Sequence, residues 1–203
     1  MRHRNTDKQR TIRERALVMI VRDGVDGFSM QKLAKAARVS PATLYIYFKN
    51  RDDLIFQLYK EEMEKMFAAT LVDFDPDGSF AAGLRIQWKN RARYSLEHTL
   101  EGQFLEQMRH SPYQVQFFPR LDPTFFDKMG AFAKAAILRK ELTPMPKEIY
   151  WSVAFAPLYQ MVIFHQSKFG LGGRPCGPGE KKFKLDEASL EFALKLVIKA
   201  LKP

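Results

Sequence analysis

The chain of 203 residues contains a single cysteine, Cys176, so no disulfide can form within it. No run of apolar residues approaches the roughly 18 that a membrane-spanning helix needs. The polar, basic N-terminus is not followed closely by the apolar segment of a signal peptide. These absences predict a cytoplasmic protein without a membrane partner.

Catalytic and metal-binding patterns are also missing from the sequence. His3, His98, His110 and His165 have no metal-ligand spacing such as His-x-x-x-His, and no cysteine pair accompanies them. There is no Gly-x-Ser-x-Gly segment, and the glycines at 170–173 follow a predicted helix rather than a strand, unlike a nucleotide-binding fingerprint. We therefore expect no enzyme activity, no cofactor and no metal.

Basic residues outnumber acidic ones, 33 against 23, and the excess is uneven along the chain. Residues 1–51 hold 12 basic and 4 acidic side chains, a net charge of +8, whereas residues 52–203 hold 21 and 19, a net charge of +2. This positive N-terminal quarter is typical of a segment that binds DNA phosphates. A basic arm with Arg2 and Arg4 would reach a groove or a phosphate, and a solvated tail without fixed contacts is the alternative for these two residues.

Two short helices and a tight turn are predicted over residues 29–48. Ser29 is a suitable N-cap for the first helix, and Ser40 caps the second, whose first position is Pro41. The second helix is barely two turns long, so it must be held by packing. The apolar residues available for that packing are Leu33, Ala37, Val39, Leu44 and Phe48.

A longer helix precedes this motif and would support it. An apolar stripe of Ile12, Ala16, Met19 and Ile20 recurs at helical spacing, and Gly24 is expected to end the helix. We interpret the stripe as core that packs on the two short helices.

The segment from Gly24 to Leu54 resembles the DNA-binding domain of the TetR family of one-component transcription regulators, and the match covers about residues 8–60. Arg38 stands where the family most often has Gly, and a positive φ there would strain the turn. Arg51 stands where the family most often has Lys, which keeps the charge and adds a fork of donors. The positions that carry the resemblance are Gly24, Ser29, Leu33, Ala34, Ala37, Val39, Ser40, Thr43, Leu44, Tyr45, Tyr47, Phe48, Arg51 and Leu54.

The resemblance implies a DNA-binding set of Ser29, Gln31, Ser40, Pro41, Ala42, Thr43, Tyr45, Tyr47, Lys49 and Arg51. Within it, Thr43, Tyr47, Lys49 and Arg51 would donate to phosphate oxygens and fix register without reading sequence. Pro41, Ala42 and Tyr45 would face the major groove, although an aromatic such as Tyr45 is often half buried in the core. Mutation of Arg51 to Ala is then expected to weaken binding to all sequences alike and to flatten its salt dependence.

Gln31 is the best candidate in this set for reading a base. Its amide can pair with adenine, and Ala42 or Pro41 would contact a thymine methyl group. The alternative for Gln31 is an exposed helix residue without a partner.

The resemblance and the helical patterning predict an all-α protein. An N-terminal three-helix helix-turn-helix domain, residues 1–51, would precede a larger C-terminal helical ligand-binding and dimerisation domain, residues 52–203. Pro157 would bend the long apolar helix near its middle, and a flexible loop is expected at 170–179. The helices of the second domain are predicted at about 52–72, 80–98 with an extension to 110, 112 onward, 122–142, 147–169 and 186–202.

The last two helices are the predicted dimer interface. Leu190, Leu194, Val197 and Leu201 repeat along one face, and further apolar residues widen the stripe beyond what one small domain needs. The resemblance implies that such regulators pair these helices with their copies in a four-helix bundle, which suits a palindromic operator. The alternative is that both helices are core of a monomer.

Residues 88–164 are rich in large apolar side chains, with a few polar groups among them. This composition is typical of a pocket for a small, largely apolar or aromatic ligand. An ordinary helical core has the same composition, so that alternative stays open. The predicted ligand-binding set is Trp88, His98, Phe104, Met108, Tyr113, Phe117, Phe125, Met129, Trp151, Phe155 and Tyr159.

Two functions follow from this sequence. The first is a dimeric repressor of transcription that a small apolar effector releases from a palindromic site on double-stranded DNA. The second is a DNA-binding architectural or protein-interaction module with a filled core and no effector. The sequence does not distinguish a repressor from an activator.

Overall fold

The computed structural model describes residues 2–167 and 182–203, with the side chains of residues 2–6 excepted. Cys176 and the loop predicted at 170–179 lie outside the described residues. Within the described ranges every regular element is helical, which confirms the predicted all-α class. The α-helices are α1 Arg2–Gly27, α2 Met30–Ala36, α3 Pro41–Tyr47, α4 Arg51–Thr70, α5 Phe80–Glu97, α6 Thr99–Arg109, α7 Tyr113–Phe117, α8 Thr124–Leu138, α9 Lys147–Ala154, α10 Ala156–Gln166 and α11 Glu187–Leu201, with a 3₁₀ turn at Phe118–Arg120.

The chain divides into two compact units, each made of two segments. Unit 1 comprises Met1–Met66 and His98–Asp122, and unit 2 comprises Phe67–Glu97 and Pro123–Pro203. The predicted boundary after residue 51 falls at the start of α4, whereas unit 1 continues along that helix and takes in α6 and α7. The division into a DNA-binding domain of residues 1–51 and a second domain of residues 52–203 stays a prediction.

The core of unit 1 contains the apolar stripe of α1. Ile12, Ala16 and Ile20 are completely buried and Met19 nearly so, which confirms their predicted role. Gly24 leaves helical geometry at φ 77° and ψ 164°, so α1 has a break there and a short helical end that reaches Gly27. Glycine suits this position because L side chains rarely adopt a positive φ. From unit 1's second segment, Gln107 donates to the Val21 carbonyl at 2.9 Å.

The core of unit 2 is built from α5, α8, α9, α10 and α11. Trp88 is fully buried on α5, and its indole N–H donates to the Ala154 carbonyl at 2.7 Å, so its polar atom is satisfied. Arg85 and Lys89 of the same helix form ion pairs with Glu191 and Glu187 of α11. Asp186 begins α11 with a capping box that it shares with Ser189.

Two predicted helices of unit 2 have different bounds in the structure. The single helix expected over 147–169 is wrong, because Phe155, at φ −129° and ψ −29°, separates α9 from α10. Pro157 then lies in the first turn of α10. Backbone N–H groups in the first turn have no acceptor within the helix, so the missing N–H of proline costs no hydrogen bond there. The helix expected from Asp122 begins at Thr124 and ends at Leu138.

Across the two described ranges, we find no helix that combines the length and the apolar character needed to cross a bilayer.

Candidate nucleic-acid interface

Side-chain caps define both short helices of the motif. The Ser29 hydroxyl accepts the backbone N–H of Lys32, and the Ser40 hydroxyl accepts that of Thr43, each at 3.2 Å. The hydroxyls of Ser40 and Thr43 also lie 2.9 Å apart. Both serines therefore have a structural role in the fold, and their predicted contacts to DNA stay predictions.

The turn between α2 and α3 is a Schellman motif with arginine at its left-handed position. Arg38 has a φ of 55°. The N–H of Val39 reaches the Ala34 carbonyl at 3.0 Å and that of Arg38 reaches the Lys35 carbonyl at 3.2 Å, which is the hydrogen-bond pair of this motif. The family's usual glycine would adopt this conformation without strain, so the sequence departure at Arg38 is a strained position in the structure.

The two short helices separate an apolar face from an exposed one. Met30, Leu33, Ala34, Leu44 and Phe48 are buried, and this accounts for the stability of helices too short to persist alone. The candidates for groove contact, Gln31, Pro41, Ala42 and Tyr45, are all exposed.

Tyr45 is 55% exposed, so it does not belong to the core. Its neighbour Ile46 is 75% exposed and was missed from sequence. Only its exposure in the structure places Ile46 on the solvent face of α3. Ile46 belongs to no capping or charge pattern, so no signal in the sequence identified it.

Lys49 lies between α3 and α4 in a second capped turn. Its backbone N–H donates to the Asp53 carboxylate, and the Asp53 backbone N–H donates to the Asn50 side chain, both at 2.8 Å. These two bonds hold the backbone of the segment, while the Lys49 side chain is exposed. Lys49 is therefore an exposed cation just after α3, and it forms no ion pair with the residues that the structure describes.

Arg51, predicted to clamp a phosphate, points instead into unit 1. Its guanidinium donates through Nε to the Phe28 carbonyl at 3.1 Å, through Nη2 to the Val25 carbonyl, and through Nη1 to the Tyr113 hydroxyl at 2.6 Å. Its side chain is 30% exposed and lies 3.3 Å from the Asp52 carboxylate. These contacts favour a structural role, because each guanidinium nitrogen already has an acceptor.

Other cations near the motif are better placed to meet phosphates. Lys35 and Arg38 are exposed and form no ion pair with any residue that the structure describes. Arg10, Arg13 and Arg22 of α1, in contrast, pair with nearby carboxylates. Lys35 and Arg38 were absent from the predicted set, although the basic excess of residues 1–51 was the signal that could have found them.

The predicted effector residues do not form one cluster. His98, Phe104, Met108, Tyr113 and Phe117 belong to unit 1, whereas Trp88, Phe125, Met129, Trp151, Phe155 and Tyr159 belong to unit 2. Within unit 1, Phe104 and Met108 are fully buried and His98 is exposed. An open groove of about 570 Å³ in the same unit is lined by residues that include Gly24, Gln103, His110 and Tyr113.

In unit 2, three of the predicted aromatic residues surround a cation that sequence reasoning missed. The guanidinium carbon of Arg91 lies 4.5 Å from the ring centroid of Phe155, 5.4 Å from that of Trp151 and 5.7 Å from that of Phe125. Arg91 is only 2% exposed. Tyr150 is close to the same region, and burial raises its pKa to about 12 although the positive charge of Arg91 opposes that rise.

The exposed face of α2 and α3, the two side-chain caps and the exposed cations beside them have the geometry of a helix-turn-helix motif. The family described as "Bacterial regulatory proteins, tetR family" matches residues 12–58. The chain is 41% identical over 91 residues to an uncharacterized HTH-type transcriptional regulator of Haemophilus influenzae, and this covers 44% of the chain and 48% of that protein. It is 38% identical over 56 residues to the fatty acid metabolism regulator protein of Bacillus subtilis, covering 28% of the chain and 29% of that protein. The chain thus matches about half of one curated relative's length and under a third of the other's.

Solved structures share the fold along the whole chain. A TetR family transcription regulator from Marinobacter aquaeolei superposes with a TM-score of 0.74 at 24% identity, covering 100% of this chain and 99% of that one. A TetR-family regulator from Haemophilus influenzae gives a TM-score of 0.74 at 23% identity, with 98% of each chain covered. Residues 12–58 thus match the DNA-binding domain of the TetR family, and the chain shares its fold with solved structures of TetR-family regulators.

Proposed function

We propose that the protein is a dimeric repressor that binds a palindromic operator and leaves it when a small, largely apolar ligand binds. The observation that carries the DNA-binding part is the exposed face of α2 and α3. Gln31, Pro41, Ala42 and Tyr45 all lie on the solvent side of helices whose other face is buried. Thr43, Tyr47 and Lys49 would position this face on phosphates, and Lys35 and Arg38 would add to them.

Exposed apolar side chains on α10 and α11 support the homodimer. Phe192 and Leu196 are one turn apart on α11 and are 68% and 56% exposed, while Ile163 on α10 is 47% exposed. The other stripe of α11, from Leu190 to Leu201, is buried within unit 2. The pair of helices therefore has apolar surface left over, and a second copy of the same surface would cover it about a two-fold axis.

Aromatic density in unit 2 supports an effector site there. Phe125, Trp151 and Phe155 gather around one point, and Trp151 is 37% exposed, so the cluster reaches the surface. A ligand that binds the off-DNA shape more tightly by about 1–3 kcal/mol is sufficient to shift operator occupancy. The likeness to the fatty acid metabolism regulator protein covers 56 residues, 28% of the chain, and contributes nothing to the choice of ligand in this proposal.

Mobility-shift titration of the full chain tests the proposal. We propose that the protein acts in the cytoplasm. In vitro, a dimer of the protein should bind a specific DNA, and the bound fraction should fall when an apolar or aromatic ligand is added. The matched control is a Thr43→Val and Lys49→Ala double variant, which leaves the buried face of α3 unchanged. If the wild type binds DNA but no ligand in a broad apolar library changes its binding or its unfolding temperature, the protein is an architectural or interaction module instead.

A further inference from the structure

Two of the three arginines on helix α5, Arg85 and Arg91, have different surroundings. Arg85 directs Nε and Nη2 at the carboxylate of Glu191, with 2.7 Å from Nη2 to Oε1 and 3.1 Å from Nε to Oε2. These two nitrogens form the edge of the guanidinium that matches both oxygens of a carboxylate. The pairing lowers the pKa of Glu191, chiefly through the hydrogen bonds from Arg85.

Arg91 presents the same edge without a carboxylate. Its Nη1 donates to the Tyr159 hydroxyl at 3.0 Å. Its Nε and Nη2 are buried, and no acceptor among the described residues lies within hydrogen-bonding distance of either atom. The two nitrogens that Arg85 uses for Glu191 are thus the two that Arg91 leaves unpaired.

Rings surround the Arg91 guanidinium but do not satisfy it. The faces of Phe125, Trp151 and Phe155 lie within 6 Å and attract the positive charge. A ring accepts no conventional hydrogen bond, so the N–H groups still carry the penalty of removal from water. Arginine is almost never fully buried unless it is paired, and this makes an unpaired one a marker for a ligand.

Gln87 adds a second unsatisfied group to the same helix face. It lies four residues before Arg91, a spacing that places both side chains on one side of α5. Its side chain is fully buried, and neither its amide oxygen nor its amide nitrogen has a partner among the described residues. One turn of α5 therefore holds three buried donor atoms, Nε and Nη2 of Arg91 and Nε2 of Gln87, without acceptors.

We propose that the effector is a carboxylic acid with an apolar body, bound in ionised form. The carboxylate accepts from Nε and Nη2 of Arg91 and from Nε2 of Gln87, and the apolar body lies against Phe125, Trp151 and Phe155. One buried cation matches the single charge of a carboxylate. This inference rests on the proposed function, because it names the chemical class of the effector in that proposal.

Matched pairs of acids and amides test the role of the charge. The full chain is heated with straight-chain acids of six to twelve carbons or with 2-naphthoate, and in parallel with the corresponding neutral amides. Wild-type protein should be stabilised by one or more of the acids and bind it about tenfold or more tightly than its amide, since hydrogen bonds to a charged group are the stronger kind.

Variants locate the effect at the buried edge. Arg91→Met should lose about tenfold to a hundredfold in affinity for the acid, while its unfolding temperature without ligand stays the same or rises, because an unpaired buried charge is removed. Arg85→Met, the matched control on the same helix, should be less stable without ligand and keep the affinity for the acid. Gln87→Met should weaken binding of the acid more than binding of its amide, because a hydrogen bond to a charged acceptor is the stronger one. It supplies a second test if Arg91→Met does not fold.

The proposal is overturned if no acid in the series binds, if amides bind as tightly as acids, or if Arg91→Met and Gln87→Met retain wild-type affinity. Operator binding measured in the same samples separates this failure from failure of the proposed function. If only a neutral compound releases the DNA, the proposed function as a regulator stands and the proposal of a carboxylate effector is rejected. If the acid binds through Arg91 but the affinity for DNA does not change, the carboxylate site exists and the proposal that its ligand is the effector is rejected.

Discussion

Arg51 and Tyr113 are joined by a hydrogen bond of 2.6 Å from Nη1 to the phenolic oxygen. The Tyr113 hydroxyl in turn donates to the Asp52 carboxylate at 2.8 Å. Burial, and after it the hydrogen bond to Asp52, raises the pKa of Tyr113 above its ordinary value and so favours the protonated phenol. These two hydrogen bonds therefore connect the start of α4, which follows α3, to α7 within unit 1.

Tyr113→Phe removes this tie and keeps the ring that stacks on Phe117 at a centroid distance of 5.0 Å. We expect the free energy of unfolding to fall by about 1 kcal/mol, the usual net value of such a hydrogen bond. Urea denaturation measures it. Tyr45→Phe removes a hydroxyl from an exposed ring and should leave stability unchanged, and equal stability of the two variants would show that the tie contributes nothing.

The contacts of Arg51 and Lys49 predict different effects on salt dependence. Lys49→Ala should reduce the slope of log affinity against log salt by about one, as expected for one lost phosphate contact. Arg51→Ala should leave that slope unchanged and instead lower stability by about 2 kcal/mol, because the Val25 and Phe28 carbonyls lose their donor. A reduced slope for Arg51→Ala would restore its original assignment as a phosphate clamp.

The left-handed residue in the motif turn gives a prediction for stability. Arg38→Gly should be more stable than Arg38→Ala by about 1 kcal/mol, because both lack the side chain and only glycine adopts a φ of 55° without strain. Thermal unfolding of the two variants measures the difference. If alanine is as stable as glycine, the turn does not hold its positive φ in solution.

The exposed apolar residues of α11 predict the position of the dimer interface. Leu196→Glu should convert the dimer to a monomer at micromolar concentration, since it places a charge in a contact between copies. Leu138→Glu changes a residue that is more exposed, 76% against 56%, and that belongs to α8. Sedimentation equilibrium should find this control dimeric. Dimerisation of both variants would place the interface elsewhere.

Much of the DNA-binding motif could be predicted because its signals are local. Ser29, Ser40 and Pro41 mark helix starts by their own chemistry, and helical spacing identified Ile12 and Ile20 as core. Gly24 and the expected strain at Arg38 both correspond to positive φ in the structure. Each of these features depends on neighbours within a few residues.

Long-range features could not be read in the same way. The position of Arg51 after α3 gave no information on Tyr113, which is 62 positions away. The Tyr113 hydroxyl accepts a hydrogen bond from Nη1 of Arg51. Pro157 indicated a bend in the apolar run of α9 and α10, but it did not predict that Phe155 separates two helices. Arg91 was missed because composition cannot distinguish a paired surface arginine from a buried one.

Selection of bound sequences from a random pool of double-stranded DNA, followed by footprinting, tests the central claim most directly. We expect an inverted repeat whose half-site centres are about 34–36 Å apart, or a multiple of that distance, and two protected regions on one face of the DNA. Gln31→Ala should relax the preference at one base pair of each half-site and leave the remaining positions unchanged. Uniform binding of all sequences, with no enriched repeat, would contradict the assignment of this protein as an operator-binding regulator.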